Sequence, residues 1–324
     1  MSVKNNPPFH ITPRIMELVA HVSEKLGAVQ ANHLYKPPTE LRKKNRIKTI
    51  KFSLEIEGNS LSLEQVTALM DHKRVLAPKK DIVEVRNAIK VYEQLEDFDP
   101  FKRKDFERAH GLLMKGLLAD AGQLRRGNVG IVKGSKIEHL APSGAIVNGL
   151  LKDLFQYLKS SEDLILIKSC VFHYELEFIH PFTDGNGRMG RLWQTLILMS
   201  QYSVFEYLPI EQLIKKRQSE YYLKLAESDK KGHSTPFVEF MLSFILEALG
   251  ELLSAQNRSL QVSERMELFK SKVGEDLFSR KTYLGFFKNI SAPTASRDLK
   301  WAFDQEIIER VGTKRLTVYR FISE

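Results

Sequence analysis

Two apolar runs, Leu164 to Ile179 and Leu192 to Met199, enclose the stretch His180-Pro181-Phe182-Thr183-Asp184-Gly185-Asn186-Gly187-Arg188-Met189-Gly190-Arg191. Both flanks have helical spacing and read as buried helices. The chain is therefore committed to a helix–loop–helix through its core, and the short loop holds an imidazole, a carboxylate, an amide and two guanidiniums. A loop that only turned the chain would not need those groups.

The residue types point to a phosphate site. Gly185 and Gly187 let the backbone approach a ligand closely. Asn186 to Gly190 read as the first turn of the second helix, where unpaired N–H groups and the helix dipole favour an anion. Arg188 and Arg191, three apart, share a helix face and can clamp neighbouring phosphate oxygens. Asp184 can hold the Mg²⁺ that accompanies a nucleotide. His180 titrates near neutrality and suits a general base. Pro181 forces an extended exit from the first helix, and Phe182 is expected to plug the loop into the core. The plain alternative is turn chemistry. It covers the glycines and Asn186, but not His180 and both arginines placed with them.

The stretch matches throughout the His-x-Phe-x-Asp/Glu-Gly-Asn-Gly-Arg-x-x-Arg signature and so resembles the Fic (Fic/DOC) family. The resemblance implies a protein adenylyltransferase that moves AMP from ATP, with Mg²⁺, to a Ser, Thr or Tyr hydroxyl of a target protein, releasing pyrophosphate. His180 would be catalytic. Asp184 would hold the metal, and Asp184, Gly185, Asn186, Gly187, Arg188, Gly190 and Arg191 would bind the nucleotide. The fold it implies is mainly α: a Fic helical core with a β-hairpin flap, plus a C-terminal winged helix-turn-helix domain.

Composition bounds the rest. The 324 residues include 49 basic and 40 acidic ones, a net charge of +9. That excess permits contact with ATP, nucleic acid or an acidic partner and proves none of them. The single cysteine, Cys170, lies in the apolar run before the motif and reads as an inert core thiol in a reducing compartment. The opening residues do not resemble a signal peptide, and no apolar run reaches the roughly 20 residues that span a bilayer. No membrane partner is expected, and the setting reads as cytoplasmic.

In chain order, a helix is expected from about Pro13 to Gly27, and a basic one from near Thr39. The cluster Arg42 to Lys48 reads as a solvated helix face. The second helix stops at Gly58, and Ser62 with Gln65 forms a capping-box pattern for the next. Ser53 to Gly58 fits a Ser/Thr-x-x-x-Glu-Gly/Asn element, the inhibitory motif of the resembled family. The resemblance implies that Glu57, on an inhibitory helix around 45–58, pairs with Arg191 and blocks the γ-phosphate. Taken alone, Glu57 is a surface carboxylate near a helix end.

Helices are expected over Asp81–Glu96, Asp105–Leu118 and Val147–Leu158, and a glycine-rich hairpin over Gly122–Gly134 that Ala141-Pro142 closes. On residues alone that hairpin is a surface feature. It also resembles the Fic flap, which holds a target peptide as an added strand; Arg125, Val129, Ile131 and Pro142 fall where the family has them. On that resemblance Ile131, Val132, Lys133 and Gly134 lie near the nucleotide. His173, Glu177 and His180 have i, i+4, i+7 spacing, which invites a metal reading, but relatives in the resembled family carry a histidine at the position of His173 without a metal. One helix is expected from Glu211 to Ala226, with Tyr221 and Tyr222. These tyrosines could merely pack; in Fic relatives one of the pair borders the adenine. Pro236 to Leu253 reads as a long amphipathic helix.

From about Leu260 the texture changes. Helical segments, a Ser/Pro/Thr turn before Thr294, Ser296 and Arg297, and a terminal hairpin from Ile307 to Phe321 read as a winged helix-turn-helix. Its partner is DNA or another protein. The expected organisation is an N-terminal helical region (1–100), the Fic core (101–255) and the winged helix (260–324). A target held at the flap, including the chain itself as its own substrate, and a homodimer both stay open. Transfer of another phosphate-containing group, removal of AMP, and a nucleotide-sensing DNA-binding regulator are the rival functions.

Overall fold

The computed structural model describes residues 6–31, 39–133, 136–256, 262–287, 290–312 and 317–322, with the backbone alone for the parts of 130–140 and 255–256 among them. These form two compact units, one ending at Gly250 and the other beginning at Glu251 and taking in Thr39 and Glu40. Both are mainly helical. Among the described residues, no helix is long and apolar enough to cross a membrane.

The first unit opens with α1 (Pro13–Ala31), whose Ile15, Leu18, Val22, Leu26 and Val29 are buried at helical spacing. Next come α2 (Thr39–Ile56), α3 (Leu63–Met70), α4 (Lys79–Glu93) and α5 (Arg103–Leu113). The end of α2 follows from its sequence. Gly58 takes φ +92, so its N–H reaches Glu55 O and the N–H of Asn59 reaches Leu54 O, both at 3.1 Å. This doubly bonded terminus needs a residue free of left-handed strain at Gly58, and it leaves Glu57 at the tip of α2. Ser62 and Gln65 close the capping box of α3 reciprocally.

A short antiparallel hairpin, β1 (Gly130–Lys133) and β2 (Lys136–Leu140), follows α5. The expected hairpin over 122–134 begins too early. Gly122 gives its N–H to His110 Nδ1 and Arg125 gives its own to Pro181 O, so these backbone groups serve the motif loop instead of a ladder.

The centre is a helix pair, α7 (Ile165–Ile179) and α8 (Asn186–Met199), preceded by α6 (Gly144–Ser160). Around the pair, the ring of Phe106 meets Phe155, Phe172 and Trp193 edge-on at 5.1 to 6.4 Å and stacks on Phe182 at 5.3 Å. Edge-to-face pairs of this kind add to the burial of large apolar rings. Since Phe182 is fully buried, the cluster fastens the loop between α7 and α8 to the core. The unit is completed by α9 (Ile210–Lys216), α10 (Gln218–Lys231) and α11 (Thr235–Gln256) as far as Gly250. The single helix expected from Glu211 to Ala226 is thus two. They part at Arg217, which leaves helical backbone at φ −118, ψ 39; its guanidinium lies over Phe244 at 4.0 Å and pairs with Glu247.

The second unit contains α12 (Val262–Val273), α13 (Arg280–Phe286), α14 (Ala292–Asp304) and the antiparallel pair β3 (Ile308–Val311) and β4 (Val318–Phe321). Phe278 adds a bridge to Tyr319. Met266, Phe269, Phe278, Tyr283, Leu299 and Phe321 make its core. A buried ion pair crosses it: Arg265 donates to both oxygens of Asp298 at 2.6 and 2.7 Å, and the Tyr283 hydroxyl adds a bond at 3.1 Å.

Candidate active site

The loop between α7 and α8 is held in an unusual backbone path. His180, the residue after α7, is left-handed at φ +49, ψ +62, a conformation a non-glycine residue adopts at a cost of about 1–2 kcal/mol. Its N–H bonds to Leu176 O at 2.9 Å, and its carbonyl accepts Arg125 Nε at 2.6 Å. Gly185 takes φ +86 immediately before α8, where a Cβ would also press on Met114 Sδ. Directly after Gly185, Asn186 closes the loop on itself: its Oδ1 accepts the Phe182 N–H, and its Nδ2 donates to the Phe182 carbonyl, both at 2.9 Å. Asn186 is therefore a loop brace, buried and bonded to backbone at both ends.

A buried histidine carries the loop from behind. His110 on α5 lies flat on the Phe182 ring, 3.5 Å between centroids at 1°. Its Nδ1 accepts the Gly122 N–H at 2.8 Å, which leaves Nε2 to donate to the Asp184 carbonyl at 2.9 Å. Burial pushes its pKa down to about 4, against the Asp184 carbonyl bond, which raises it. His110 is thus neutral in the folded state, while the unfolded chain protonates it from about pH 6.5 downward. The unfolded state then binds more protons, so stability falls as pH drops from about 6.5 towards 4. We expect wild type to lose about 3 kcal/mol more over that interval than His110→Gln in urea titrations. Equal losses would leave His110 without this role.

The motif carboxylate and guanidiniums converge. Asp184 Oδ1 accepts the Gly185 N–H at 2.6 Å and meets Arg188 Nη2 at 3.2 Å, while about half of its side chain stays exposed. Arg188 is buried and also reaches Glu84 Oε1 at 3.2 Å; the other Glu84 oxygen is held by Asn59 at 2.8 Å. Arg191 is buried too. It donates Nε to Ser53 Oγ at 3.2 Å, and Nη2 to Ser53 O at 2.9 Å and Glu57 Oε1 at 2.8 Å. Burial alone would lower its pKa, but the charge and hydrogen bond of Glu57, together with Tyr221 and Glu177, raise it.

The position of Glu57 is the feature that matters most. A Cβ built on Gly187 would lie 2.5 Å from Glu57 Oε1 and 3.2 Å from Arg191 Nη1. The carboxylate therefore sits over the first turn of α8, against the glycine that opens it and beside the Arg191 guanidinium. That is an anion in an anion site, since the first-turn N–H groups and the dipole favour negative charge there. Gly190 plays a different part. Its absent side chain lets α8 close on α7, where a Cβ would meet His173 at 2.7 Å.

Other expected residues have these positions. Tyr221 is buried and its hydroxyl meets His173 Nε2 at 3.0 Å; His173 Nδ1 meets Gln194 Oε1 at 2.7 Å. His173 thus spends both ring nitrogens on neighbours, and Tyr221 is fixed to the centre by its tip. Tyr222 is half-buried, its ring edge-on to Tyr221 at 5.4 Å. Asp229, also on α10, accepts the Tyr174 hydroxyl at 2.8 Å, a contact with no counterpart among the expected ones. Cys170 is buried, which pushes its thiol up to about 12. Ile131, Val132 and Lys133 lie on β1, and Gly134 falls outside the described residues. The roles of Asn59, Glu84 and His110 have no local sequence signal, because each acts on a partner 22 or more residues away in the chain.

The Fic/DOC family profile matches residues 100–198, the span holding α5, the hairpin, α6, α7 and the motif. The chain is 29% identical over 202 residues to the protein adenylyltransferase fic-1 of Caenorhabditis elegans, covering 58% of this chain and 37% of that protein. With the protein adenylyltransferase Fic of Nematostella vectensis it is 25% identical over 253 residues, covering 71% and 55%. The chain thus spans less than two thirds of these curated relatives. The crystal structure of a Fic family protein from Desulfovibrio desulfuricans G20 superposes with a TM-score of 0.76 at 41% identity, covering 98% of this chain and 99% of that one. With the signature unbroken and likeness extending over nearly the whole of both chains, this chain belongs to the Fic family.

Proposed function

We propose that the protein is a protein adenylyltransferase held inactive by its own Glu57. The observation that carries this reading is the Glu57–Arg191 pair lying over Gly187. A carboxylate stands where a phosphate oxygen of ATP would take the same partners. The curated relatives' names support the reaction class.

In this reading ATP lies along the first turn of α8, with Arg188 and Arg191 on its phosphates. Asp184 suits Mg²⁺: its contacts fall on Oδ1, half of its side chain is exposed, and one carboxylate plus phosphate oxygens is a donor set this ion takes. Mg²⁺ would supply charge neutralisation at the phosphates. A target hydroxyl oxygen attacks the α-phosphorus, forming the new P–O bond. The bond from that phosphorus to the bridging oxygen breaks, and pyrophosphate leaves with its electron pair. His180 takes the hydroxyl proton. Most of the rate comes from positioning and fixed charge. The target strand adds to the hairpin β1–β2, and Ile131 to Lys133 and Tyr221 with Tyr222 flank the nucleotide. The lone cysteine suits a reducing, cytoplasmic setting. Mass spectrometry of the Glu57→Gly chain after incubation with Mg-ATP tests the reading. A covalent adenylyl group on the chain supports it, and an unmodified chain with an unmodified candidate target rejects it.

The unit after Glu251 is read as a winged helix-turn-helix with duplex DNA as its partner. Arg280, Lys281, Arg297 and Lys300 are exposed on α13 and α14, and Arg280 donates to Ser296 Oγ at 3.0 Å, joining the two helix starts. If all four reach phosphates, counterion release should weaken binding about a hundredfold between 50 and 200 mM salt. Fluorescence anisotropy with pooled duplexes measures this. Absent or salt-insensitive binding makes the unit a protein-contact module.

A further inference from the structure

One buried cation joins the hairpin to the motif loop. Arg125 is almost wholly buried, and its bonds among the described residues all go to backbone carbonyls. Nε donates to His180 O at 2.6 Å, and Nη2 to Ile179 O at 3.1 Å and Pro142 O at 2.7 Å. Nη1 donates to Gly127 O at 2.7 Å. Its own backbone N–H bonds to Pro181 O at 2.9 Å. Ile179 and His180 end α7, so the guanidinium meets the negative pole of that helix, which suits a cation that has carbonyls as partners. Gly127 and Pro142 lie on either side of β1 and β2, at the two roots of the hairpin.

The hairpin neck is drawn tight by a second, independent contact. A Cβ on Gly144 would collide with the Arg126 carbonyl, and the Gly144 N–H reaches Asn128 Oδ1 at 3.2 Å. Both roots are therefore fixed against each other as well as against the motif.

We propose that Arg125 is a positioning residue that ties the hairpin to His180, so that the seating of a target strand and the posture of the base are set together. This rests on the reading of His180 as the base. A guanidinium is a planar, rigid fork. Its four bonds cannot all survive if the hairpin roots shift relative to the His180 carbonyl. His180 already occupies a left-handed backbone conformation, so its direction depends on what holds its carbonyl. A base must come within hydrogen-bond reach of the hydroxyl, and an error of about 1 Å can cost a hundredfold in rate. Lysine cannot replace the arginine, because one ammonium on a flexible stem cannot span four carbonyls.

The test uses the full chain with Glu57→Gly, comparing Arg125→Lys with the parent. AMP transfer should fall roughly ten- to hundredfold, while ATP affinity changes by no more than about threefold. Hydrogen exchange should quicken together in 127–142 and 182–185, while 165–178 stays protected. The exchange readout needs no activity. If the Glu57→Gly parent transfers nothing, the functional reading fails, and exchange alone decides whether Arg125 ties the two segments. A folded Arg125→Lys chain with parental exchange overturns the proposal, as does a loss of transfer matched by an equal loss of ATP affinity. Should Arg125→Lys not fold, Gly144→Ala forces the neck apart and leaves Arg125 in place. The same split between transfer and ATP affinity is expected of it, and full transfer by Gly144→Ala overturns the coupling.

Discussion

Replacing His180 by Ala is expected to lower AMP transfer by about 10²–10⁴-fold while ATP binds nearly as before. The separation follows from where the groups sit. The proposed phosphate partners, Gly187, Arg188 and Arg191, belong to α8 and its first turn, and the two arginines contact Asp184, Glu84, Ser53 and Glu57. None of those contacts passes through the His180 imidazole. His180 stands at the other end of the loop, fixed through its backbone by Leu176 and Arg125. Under the proposed roles, removing the ring takes away the proton acceptor and leaves the groups on α8 in place. Because position 180 is left-handed, His180→Asn is a useful second variant, since Asn tolerates that conformation better than Ala. Both should lose covalent labelling from ATP in the Glu57→Gly background, and both should keep equilibrium nucleotide binding. Unchanged labelling in either would remove His180 from the chemistry.

The helix pair and its loop were legible in the sequence because their signals are local. The apolar runs fix α7 and α8, and Gly185 and Asn186 fix the turn between them. The end of α2 was equally legible, since Gly58 marks it directly. Other features depended on contacts between distant segments. The hairpin starts later than expected because Gly122 and Arg125 give their N–H groups to His110 and Pro181. The helix over 211–226 broke because Phe244 and Glu247 draw Arg217 aside. His110 falls inside the helix expected over Asp105–Leu118 with no signal of its own, and its contacts with Asp184 and Phe182 give it a task. Arg125 was noticed for its place in a family pattern, but its four carbonyl partners lie in three separate segments. The motif is legible by itself; the residues that hold its loop, His110, Arg125 and Glu84, belong to no motif of their own.

The Glu57→Gly chain is expected to transfer AMP about ten- to a hundredfold faster than wild type, corresponding to loss of one charge-assisted bond of about 1.5–3 kcal/mol. Arg191 cannot shed its proton at any ordinary pH, and it is buried. In the resting chain its charge is met by Glu57 at 2.8 Å, with Ser53 taking two more bonds. A phosphate must displace that carboxylate to reach the guanidinium, and must also take the space over Gly187 where Glu57 Oε1 lies. Glu57 is the partner able to leave, because about a third of its side chain is exposed whereas Arg191 is enclosed. Removing it frees both the cation and the space, and Ser53 still orients the arginine for the triphosphate. Without nucleotide the variant should lose about 1–2 kcal/mol of stability through the unpaired guanidinium, discounted for the exposure of Glu57. Mg-ATP should restore that stability by binding the folded state. Replacing Glu57 and Arg191 together should not recover transfer, since the phosphate then has no guanidinium to hold it. Self-modification followed by mass spectrometry under equal Mg-ATP reads all three proteins. Equal labelling of wild type and Glu57→Gly would make Glu57 a surface carboxylate that happens to touch Arg191, and inhibition from α2 would be wrong.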